Sequence, residues 1–264
     1  MQISPIPHKR ALKIDLERET IVAATDLHLG ITSELSDKGI EIPSRVPEVR
    51  DRLLDIIENE DVDRLFFLGD VKHNIPVTSM QEWESLPKFF KILSNKVKVD
   101  IVPGNHDGDI EGMISREVKL HDANGKTVGE GRVGLLHGHA WPSPELMNTE
   151  TIIMGHNHPT IEFRDEVNAR VTEPAWVKTR LKPENLPQEL RKEVDERDIE
   201  VIIVPAFSKL VGGGRINRQI PEKFLGPMFT SNAIELEEAE IRLLDGTLLG
   251  KLDDLREQNS EKSI

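Results

Sequence analysis

Cysteine is absent from this 264-residue chain, which excludes disulfide bonds, zinc fingers, iron–sulfur ligation and thiol catalysis. Any bound metal must therefore be held by carboxylate, imidazole or amide groups. The chain also lacks an apolar run near the roughly 20 residues that a membrane span requires, and its start has no apolar signal-peptide core. We therefore expect a cytoplasmic protein without a membrane partner.

Basic residues are too few to form a broad cationic face. The chain has 34 Lys and Arg residues against 47 Asp and Glu residues, so its formal net charge is −13. This balance argues against non-specific adhesion to nucleic acid. A nucleic-acid substrate remains compatible with the sequence, because bound divalent cations reverse the local potential.

Short apolar runs that end in polar motifs are the recurrent pattern, and they are typical of buried strands. The runs are 21–24, 65–68, 99–102, 133–136, 152–154 and 201–204. Helical patterns at 47–60 and 79–95 lie between the early runs, and Ser79 with Glu82 forms a capping-box pattern. The alternation predicts an α/β fold with a largely parallel central sheet.

The C-terminal third has a different pattern. Residues 162–177 and 233–249 look like strands joined by turns, and 182–198 reads as an exposed charged helix. The length suits one domain over residues 1–264.

The polar motifs supply the residue types that a pair of divalent cations requires: a shared carboxylate, imidazoles and further oxygen ligands. The candidates are Asp26, His28, Asp70, Asn105, His106, His137, His156 and His158. Each follows a predicted strand, and the carboxyl ends of parallel strands are where ligand sites form in open α/β sheets. Because residues i and i+2 of a strand share a face, Asp26/His28 and His156/His158 are each expected to point at one site.

This order of motifs, D-x-H, G-D, G-N-H-D, H and G-H-x-H, resembles the calcineurin-like metallophosphoesterases over about residues 20–160. The resemblance implies a four-layer α/β/β/α sandwich. Its metal-site core would occupy about residues 20–160, and the C-terminal strands about 160–250. It also implies a hydrolase in which metal-activated water attacks phosphorus.

The residue roles implied by the resemblance follow position by position. One cation is held by Asp26, His28 and His158, the other by Asn105, His137 and His156, and Asp70 bridges the two. His106 contacts the scissile phosphate and protonates or stabilises the leaving oxygen. Manganese is the usual ion of the family, and a mixed nitrogen and oxygen shell also suits Mg²⁺, Fe²⁺, Zn²⁺, Ni²⁺ or Co²⁺.

A narrower resemblance comes from G-D-V-K-H at 69–73, H-G-H at 137–139 and P-A-F-S at 205–208. These motifs look like small archaeal and bacterial phosphoesterases related to the nuclease subunit of the Mre11/SbcD repair complex. Bacterial members accompany a DNA ligase and a helicase. The resemblance therefore implies a phosphodiesterase or nuclease that acts on DNA, with a DNA helicase as partner.

Two alternatives to a DNA nuclease stay open. The first is a phosphoesterase for cyclic nucleotides, nucleotides or other small phosphate esters. The second is a metal-loaded partner module of a helicase whose own turnover is incidental. The oligomeric state is left open by the sequence.

Further polar residues near the motifs have two interpretations each. Lys72 and His73 either reach a substrate phosphate or belong to a solvated loop, and His139 either orients a ligand or phosphate or lies on the surface. Asp107 is expected to support His106 or a loop backbone. His121 is expected to be exposed and without a role.

Overall fold

The first of two β-sheets is formed by the N-terminal part of the chain. The computed structural model describes residues 1–165, 167, 169–194, 198–218 and 224–261. The first sheet has the order β1 (Gln2–Pro5), β2 (Leu12–Asp15), β3 (Thr20–Ala24), β4 (Arg64–Leu68), β5 (Lys98–Val102) and β6 (Val118–Leu120). Strands β3 to β6 are parallel, and β1 and β2 extend the β3 edge in antiparallel orientation. The predicted parallel strand–helix alternation is confirmed here.

The second sheet is mixed. Its strands are β7 (Lys126–Val128), β8 (Val133–Leu136), β9 (Thr151–Met154), β10 (Pro159–Arg164), β11 (Arg170–Arg180), β12 (Glu200–Ile203), β13 (Gly214–Arg215), β14 (Glu240–Leu243) and β15 (Leu248–Lys251). The order is β13-β10-β11-β12-β9-β8-β7, and β14 pairs with β11 and β15. Strands β8, β9 and β12 are parallel, so their carboxyl ends meet at one edge.

Helices flank both sheets. The α-helices are α1 (Ile31–Asp37), α2 (Val46–Asn59), α3 (Met80–Ser94), α4 (Gln188–Arg191), α5 (Pro227–Thr230) and α6 (Leu252–Glu261), and 3₁₀ helices span Ile110–Gly112, Pro144–Asn148 and Pro183–Asn185. The capping box of α3 is confirmed, since the Ser79 side chain accepts from the Glu82 amide and the Glu82 side chain from the Ser79 amide. This places the helix start directly after the loop that follows β4.

Three apolar layers hold the elements together. One packs α2 and α3 against the first sheet, one lies between the sheets, and one packs α4, α5 and α6 against the outer face of the second sheet. Alternate residues of β4 show why, because Leu65 and Phe67 face the helices while Phe66 and Leu68 face the other sheet. The predicted α/β/β/α sandwich is confirmed.

Two local predictions are wrong. Residues 182–194 form only the 3₁₀ turn Pro183–Asn185 and the four-residue α4, because Pro183 and Pro187 interrupt the helical pattern. The rest of the predicted helix, at 195–197, lies outside the described residues. His121 is not exposed: its side chain is 8 % accessible, and its Nε2 lies 2.6 Å from Oδ1 of the buried Asp100.

No helix in the described part of the chain is both long and apolar enough to cross a membrane.

Candidate dinuclear metal centre

The loops at the carboxyl ends of the parallel strands of both sheets lie next to each other, and hydrogen bonds join them. The amide of Phe207, after β12, donates to the Thr25 carbonyl at 2.8 Å, after β3. His137 Nδ1, after β8, lies 2.8 Å from the carbonyl of Leu68 at the end of β4. The predicted gathering of strand-end residues at one place is therefore seen in the structure.

The backbone conformation of the paired residues differs from the prediction. Asp26 and His28 do not lie on a strand, because β3 ends at Ala24, and β9 likewise ends before His156 and His158. All four have positive φ, at 55°, 46°, 71° and 41°, and Asp70 has φ 51°. Residues other than glycine are uncommon in this region and concentrate at functional sites. The paired side chains converge because of left-handed loops, and the prediction from strand alternation is wrong.

The first cluster joins Asp26, His28, Asp70 and His158, whose potential ligand atoms all lie within 4.8 Å of one another. His158 Nε2 lies 3.1 Å from Asp26 Oδ1, and His28 Nε2 lies 3.7 Å from Asp70 Oδ2. Asp26 Oδ1, His28 Nε2 and His158 Nε2 are all buried without a hydrogen-bond partner among the described residues. Buried polar atoms are seldom left unpaired, so these three fit a bound cation.

The second cluster joins Asp70, His137 and His156. His137 Nε2 lies 3.4 Å from Asp70 Oδ1 and 3.1 Å from His156 Nδ1. Because Asp70 belongs to both clusters, it stands where a bridging carboxylate is required. The carboxylate and imidazole donors fit a dinuclear divalent metal site.

The protonation of the clusters is set by burial and by their mutual charges. Burial lowers the pKa of His28 to about 3, and burial followed by the charge of His137 lowers the pKa of His156 to about 4. Burial also lowers the pKa of His137, but Asp70 and Asp26 outweigh it and raise the pKa to about 9. Burial raises the pKa of Asp70, but contacts with His137 outweigh it and lower the pKa below its ordinary value. Neutral imidazoles and ionised carboxylates are the forms that bind metals.

His106 lies beside the first cluster, half-buried. Its amide donates to Asp70 Oδ1 at 2.9 Å, and its Nδ1 lies 2.5 Å from the His73 carbonyl. Its ring meets that of His28 edge-on, with centroids 4.9 Å apart. His106 is thus fixed through Nδ1, and its Nε2 makes no hydrogen bond among the described residues.

Asp107 supports the loops, as predicted. Its Oδ1 accepts from the amides of Val71 at 2.8 Å and Lys72 at 3.1 Å, and its Oδ2 accepts from the Gly104 amide at 2.8 Å. One buried carboxylate therefore ties the loop after β4 to the loop after β5.

The other predicted site residues are placed as follows. Asn105 is exposed between Gly104 and His106, and its amide makes no hydrogen bond within the described ranges, so its role as a ligand stays a prediction. Lys72 is 1 % exposed and its ammonium donates to the Asn74 carbonyl at 2.5 Å, so a solvated loop is wrong for it. His139 lies with its ring centroid 5.3 Å from that of His137, and His73 with its Nδ1 3.0 Å from Nδ1 of His28.

Three supporting residues were not predicted as part of the site. The hydroxyl of Thr25 lies 2.8 Å from Asp26 Oδ2, and Glu34 Oε2 contacts His73 Nε2. Glu82 accepts from the His73 and Asn74 amides through Oε1, at 2.9 Å each. Thr25 could have been found beside Asp26, and Glu82 was recognised only as a cap. Glu34 has no signal, because only the fold brings α1 to the loop after β4.

Glycines in three motifs make space for side chains of other loops. A Cβ on Gly69 would lie 2.4 Å from the His137 ring, one on Gly104 2.2 Å from Asp70 Oδ1, and one on Gly155 1.9 Å from the Thr25 hydroxyl. Contacts this short do not occur, so each position requires glycine.

The chain is similar to a known family and to solved structures. A family model described as calcineurin-like phosphoesterase matches residues 19–226. The crystal structure of the Pseudomonas putida nuclease MPE is similar with 19% identity and a TM-score of 0.54, over 92% of this chain and 98% of that one. Yfce, a phosphoesterase from E. coli, matches with 14% identity and a TM-score of 0.42, over 88% of this chain and 97% of that one.

Proposed function

Because the chain belongs to the calcineurin-like phosphoesterase family, we propose that it is a nuclease that hydrolyses phosphodiester bonds of DNA with two manganese ions. The coarser part of this statement is already given by the family and by the histidine–aspartate clusters: the protein is a metal-dependent phosphoesterase. The finer part, the substrate and the metal, is the proposal.

The observation that carries the metal chemistry is the set of three unpaired, buried atoms, Asp26 Oδ1, His28 Nε2 and His158 Nε2. Buried polar atoms are seldom left unpaired, and the potential ligand atoms of these three residues lie within 4.8 Å of one another. Two divalent ions held by the clusters would lower the pKa of a bound water and offset the negative charge of a phosphate.

DNA is favoured as the substrate by two considerations. The narrower sequence resemblance is to small phosphoesterases related to a repair nuclease, and the Pseudomonas putida protein that shares this fold is itself described as a nuclease. The net charge of −13 means that a polyanion must be drawn to the centre by its cations rather than by a basic surface. Such a protein is expected to bind DNA weakly outside the centre.

His106 is proposed as the residue that delivers a proton to the leaving oxygen. The His73 carbonyl fixes Nδ1 and the Asp70 carboxylate fixes the backbone, so the ring keeps one orientation. A general acid has to be within hydrogen-bond reach of the oxygen that it protonates. Nε2 of this half-buried ring is the nitrogen that a substrate can reach.

Among the predicted substrate-binding residues Lys72, His73 and His139, His73 already has both ring nitrogens in contact with His28 and Glu34. His139 is half-buried, and its Nδ1 has no hydrogen-bond partner among the described residues. Burial, followed by the charge of His137, lowers the pKa of His139. A neutral ring at this position can donate one hydrogen bond to a phosphate oxygen without adding charge beside His137.

Hydrolysis of a substrate panel with Mn²⁺ tests the proposal. Single-stranded DNA, double-stranded DNA, a cyclic nucleotide and a small phosphodiester are compared for the wild type, Asp70→Asn and His106→Asn. We expect DNA cleavage in the wild type, none in Asp70→Asn because the bridge is lost, and a reduction of about 10²–10⁴-fold in His106→Asn. His8→Asn, at an exposed histidine, is the matched control.

The outcomes separate the candidate functions. Turnover of cyclic nucleotides without DNA cleavage would replace the DNA proposal by the small-ester alternative. Full activity in Asp70→Asn with unchanged metal content would contradict the bridging assignment.

A DNA helicase is proposed as the partner on the family resemblance. Co-elution of the purified helicase with wild type and with His106→Asn would separate a partner role from catalysis.

A further inference from the structure

The imidazoles of the two clusters differ in how their second ring nitrogen is held. His137 Nδ1 lies 2.8 Å from the Leu68 carbonyl, and His158 Nδ1 lies 2.9 Å from the Gly212 carbonyl. A carbonyl can only accept, so Nδ1 carries a proton in both rings, and Nε2 is the nitrogen that faces a carboxylate of the first or second cluster. In the part of the chain that the structure describes, no carbonyl accepts from Nδ1 of His28. Its Nδ1 faces Nδ1 of His73 at 3.0 Å.

Two facing imidazole nitrogens form a hydrogen bond only if one of them carries a proton. The contact that Nε2 of His73 makes decides which of the two rings donates. Its Nε2 contacts Oε2 of Glu34, and an ionised carboxylate can only accept. Nε2 of His73 therefore carries a proton, and Nδ1 of a singly protonated His73 ring is an acceptor. His28 must then carry its proton on Nδ1, which leaves the lone pair on Nε2.

This placement of the protons leaves the lone pair of His28 on Nε2, the nitrogen in the first cluster. His28 Nε2 is one of the three buried atoms without a partner, and it belongs to the cluster with Asp26, Asp70 and His158. We infer that Glu34, acting through His73, sets the tautomer and orientation of His28 and so prepares Nε2 to bind a divalent cation. Glu34 and His73 are positioning residues in this role. The inference rests on the metal-dependent activity proposed above.

Neighbouring contacts hold Glu34, His73 and His28 in place. The His73 amide donates to the Leu29 carbonyl at 3.0 Å and to Glu82 Oε1 at 2.9 Å. The His28 amide donates to the Asp70 carbonyl at 2.9 Å. Both rings are therefore attached to a fixed backbone. Glu34 lies on α1 with its side chain 39% exposed, and its other oxygen contacts Lys38.

One other arrangement would use the same atoms. His28, His73 and His106 also have potential ligand atoms within 4.8 Å of one another. A further cation bound among these three rings would replace the nitrogen–nitrogen hydrogen bond and is incompatible with the inference. The experiment below distinguishes the two.

Nuclear magnetic resonance of the ¹⁵N-labelled, metal-free protein reads the tautomers directly. We expect His28 and His73 of the wild type to be protonated at Nδ1 and Nε2, respectively. His73→Leu removes the acceptor, so His28 should become a mixture of tautomers. His73→Asn offers a carbonyl oxygen near the Nδ1 position and should restore the Nδ1 proton. Glu34→Ala should release the tautomer of His73, whereas Glu34→Gln keeps an acceptor.

Calorimetric titration with Mn²⁺ gives the consequence for binding. Loss of a hydrogen-bond partner behind a ligand typically lowers metal affinity 10–100-fold. We expect a loss in this range for His73→Leu, a smaller loss for Glu34→Ala and near-wild-type affinity for Glu34→Gln. Lys38→Gln, which removes the second partner of Glu34 but leaves the acceptor, is the matched control. Thermal unfolding in chelator verifies that each variant is folded.

Three results would overturn the inference. The first is a wild-type His28 that is protonated at Nε2, and the second is an unchanged tautomer and affinity in His73→Leu. The third is a stoichiometry of three ions per chain that falls to two in His73→Leu. A wild type without DNA cleavage, but with the expected tautomers and Mn²⁺ binding, would overturn the proposed substrate and leave this inference standing.

Discussion

Asp107 offers a quantitative test of how the loops around the centre are held. Its carboxylate accepts three backbone hydrogen bonds, from Val71, Lys72 and Gly104, and the residue is 4 % exposed. Asp107→Ala removes both acceptor oxygens and leaves the three amide donors without this partner. An unpaired buried donor costs about 1–3 kcal/mol, so we expect a loss of about 3–9 kcal/mol in the free energy of unfolding. The free energy of unfolding of a whole domain is only about 5–15 kcal/mol.

Asp107→Asn separates the hydrogen bonds from the burial of the side chain. The amide oxygen can still accept from Val71 and Lys72, but the amide nitrogen then faces the Gly104 amide, donor against donor. One hydrogen bond is lost, so the expected loss is about 1–3 kcal/mol. The difference between the two variants is thus a measure of the two retained hydrogen bonds.

The assay is urea denaturation at pH 8 in the presence of chelator. Burial raises the pKa of Asp107 to about 6, so the group is ionised at this pH, and the chelator removes any contribution from metal binding. Asp37→Ala, at an exposed position of α1, should change stability by no more than about 0.5 kcal/mol. A loss below about 1 kcal/mol for Asp107→Ala, or equal losses for the alanine and asparagine variants, would refute the reasoning.

Two further predictions concern metal loading and the loop after β4. Adding Mn²⁺ at 100 times its dissociation constant to chelator-treated protein should stabilise it by about 2.7 kcal/mol for each bound ion, because the ions bind the folded state. Thermal unfolding should show this in wild type and less in Asp70→Asn, and equal stabilisation would contradict binding at Asp70. Ser79→Ala removes half of the capping box with Glu82 and should cost about 1 kcal/mol. The exposed Ser36→Ala is its control in urea denaturation, and a loss no larger than that of the control would show that the cap is dispensable.

The strands and the place of the site could be predicted from the sequence because their causes are local. Runs such as 65–68 are buried on both faces of a sheet and have few alternatives to a strand. Because the carboxyl ends of parallel strands share an edge, Asp26 after β3 and Asp70 after β4 could be expected to meet, although they lie far apart in the chain.

The exceptions arise where tertiary contacts decide the backbone. Asp26 and His28 take positive φ because the loop after β4 pairs with theirs, through the amides of Asp26 and His28 and the carbonyls of Gly69 and Asp70. Alternation of side chains along one chain cannot reveal such a constraint. The contact of Glu34 with His73 is likewise a tertiary contact, made from a helix that carries no sequence motif.

The close contact of each motif glycine with a side chain of another loop limits how loops can be exchanged in this enzyme. Gly69 gives room to His137, Gly104 to Asp70, and Gly155 to Thr25, so each loop is shaped to a neighbour rather than to its own ligand. Grafting a single loop into another member of the family would therefore displace a ligand on a different strand. A chimaera is expected to keep activity only when both members of each interlocking pair are exchanged together.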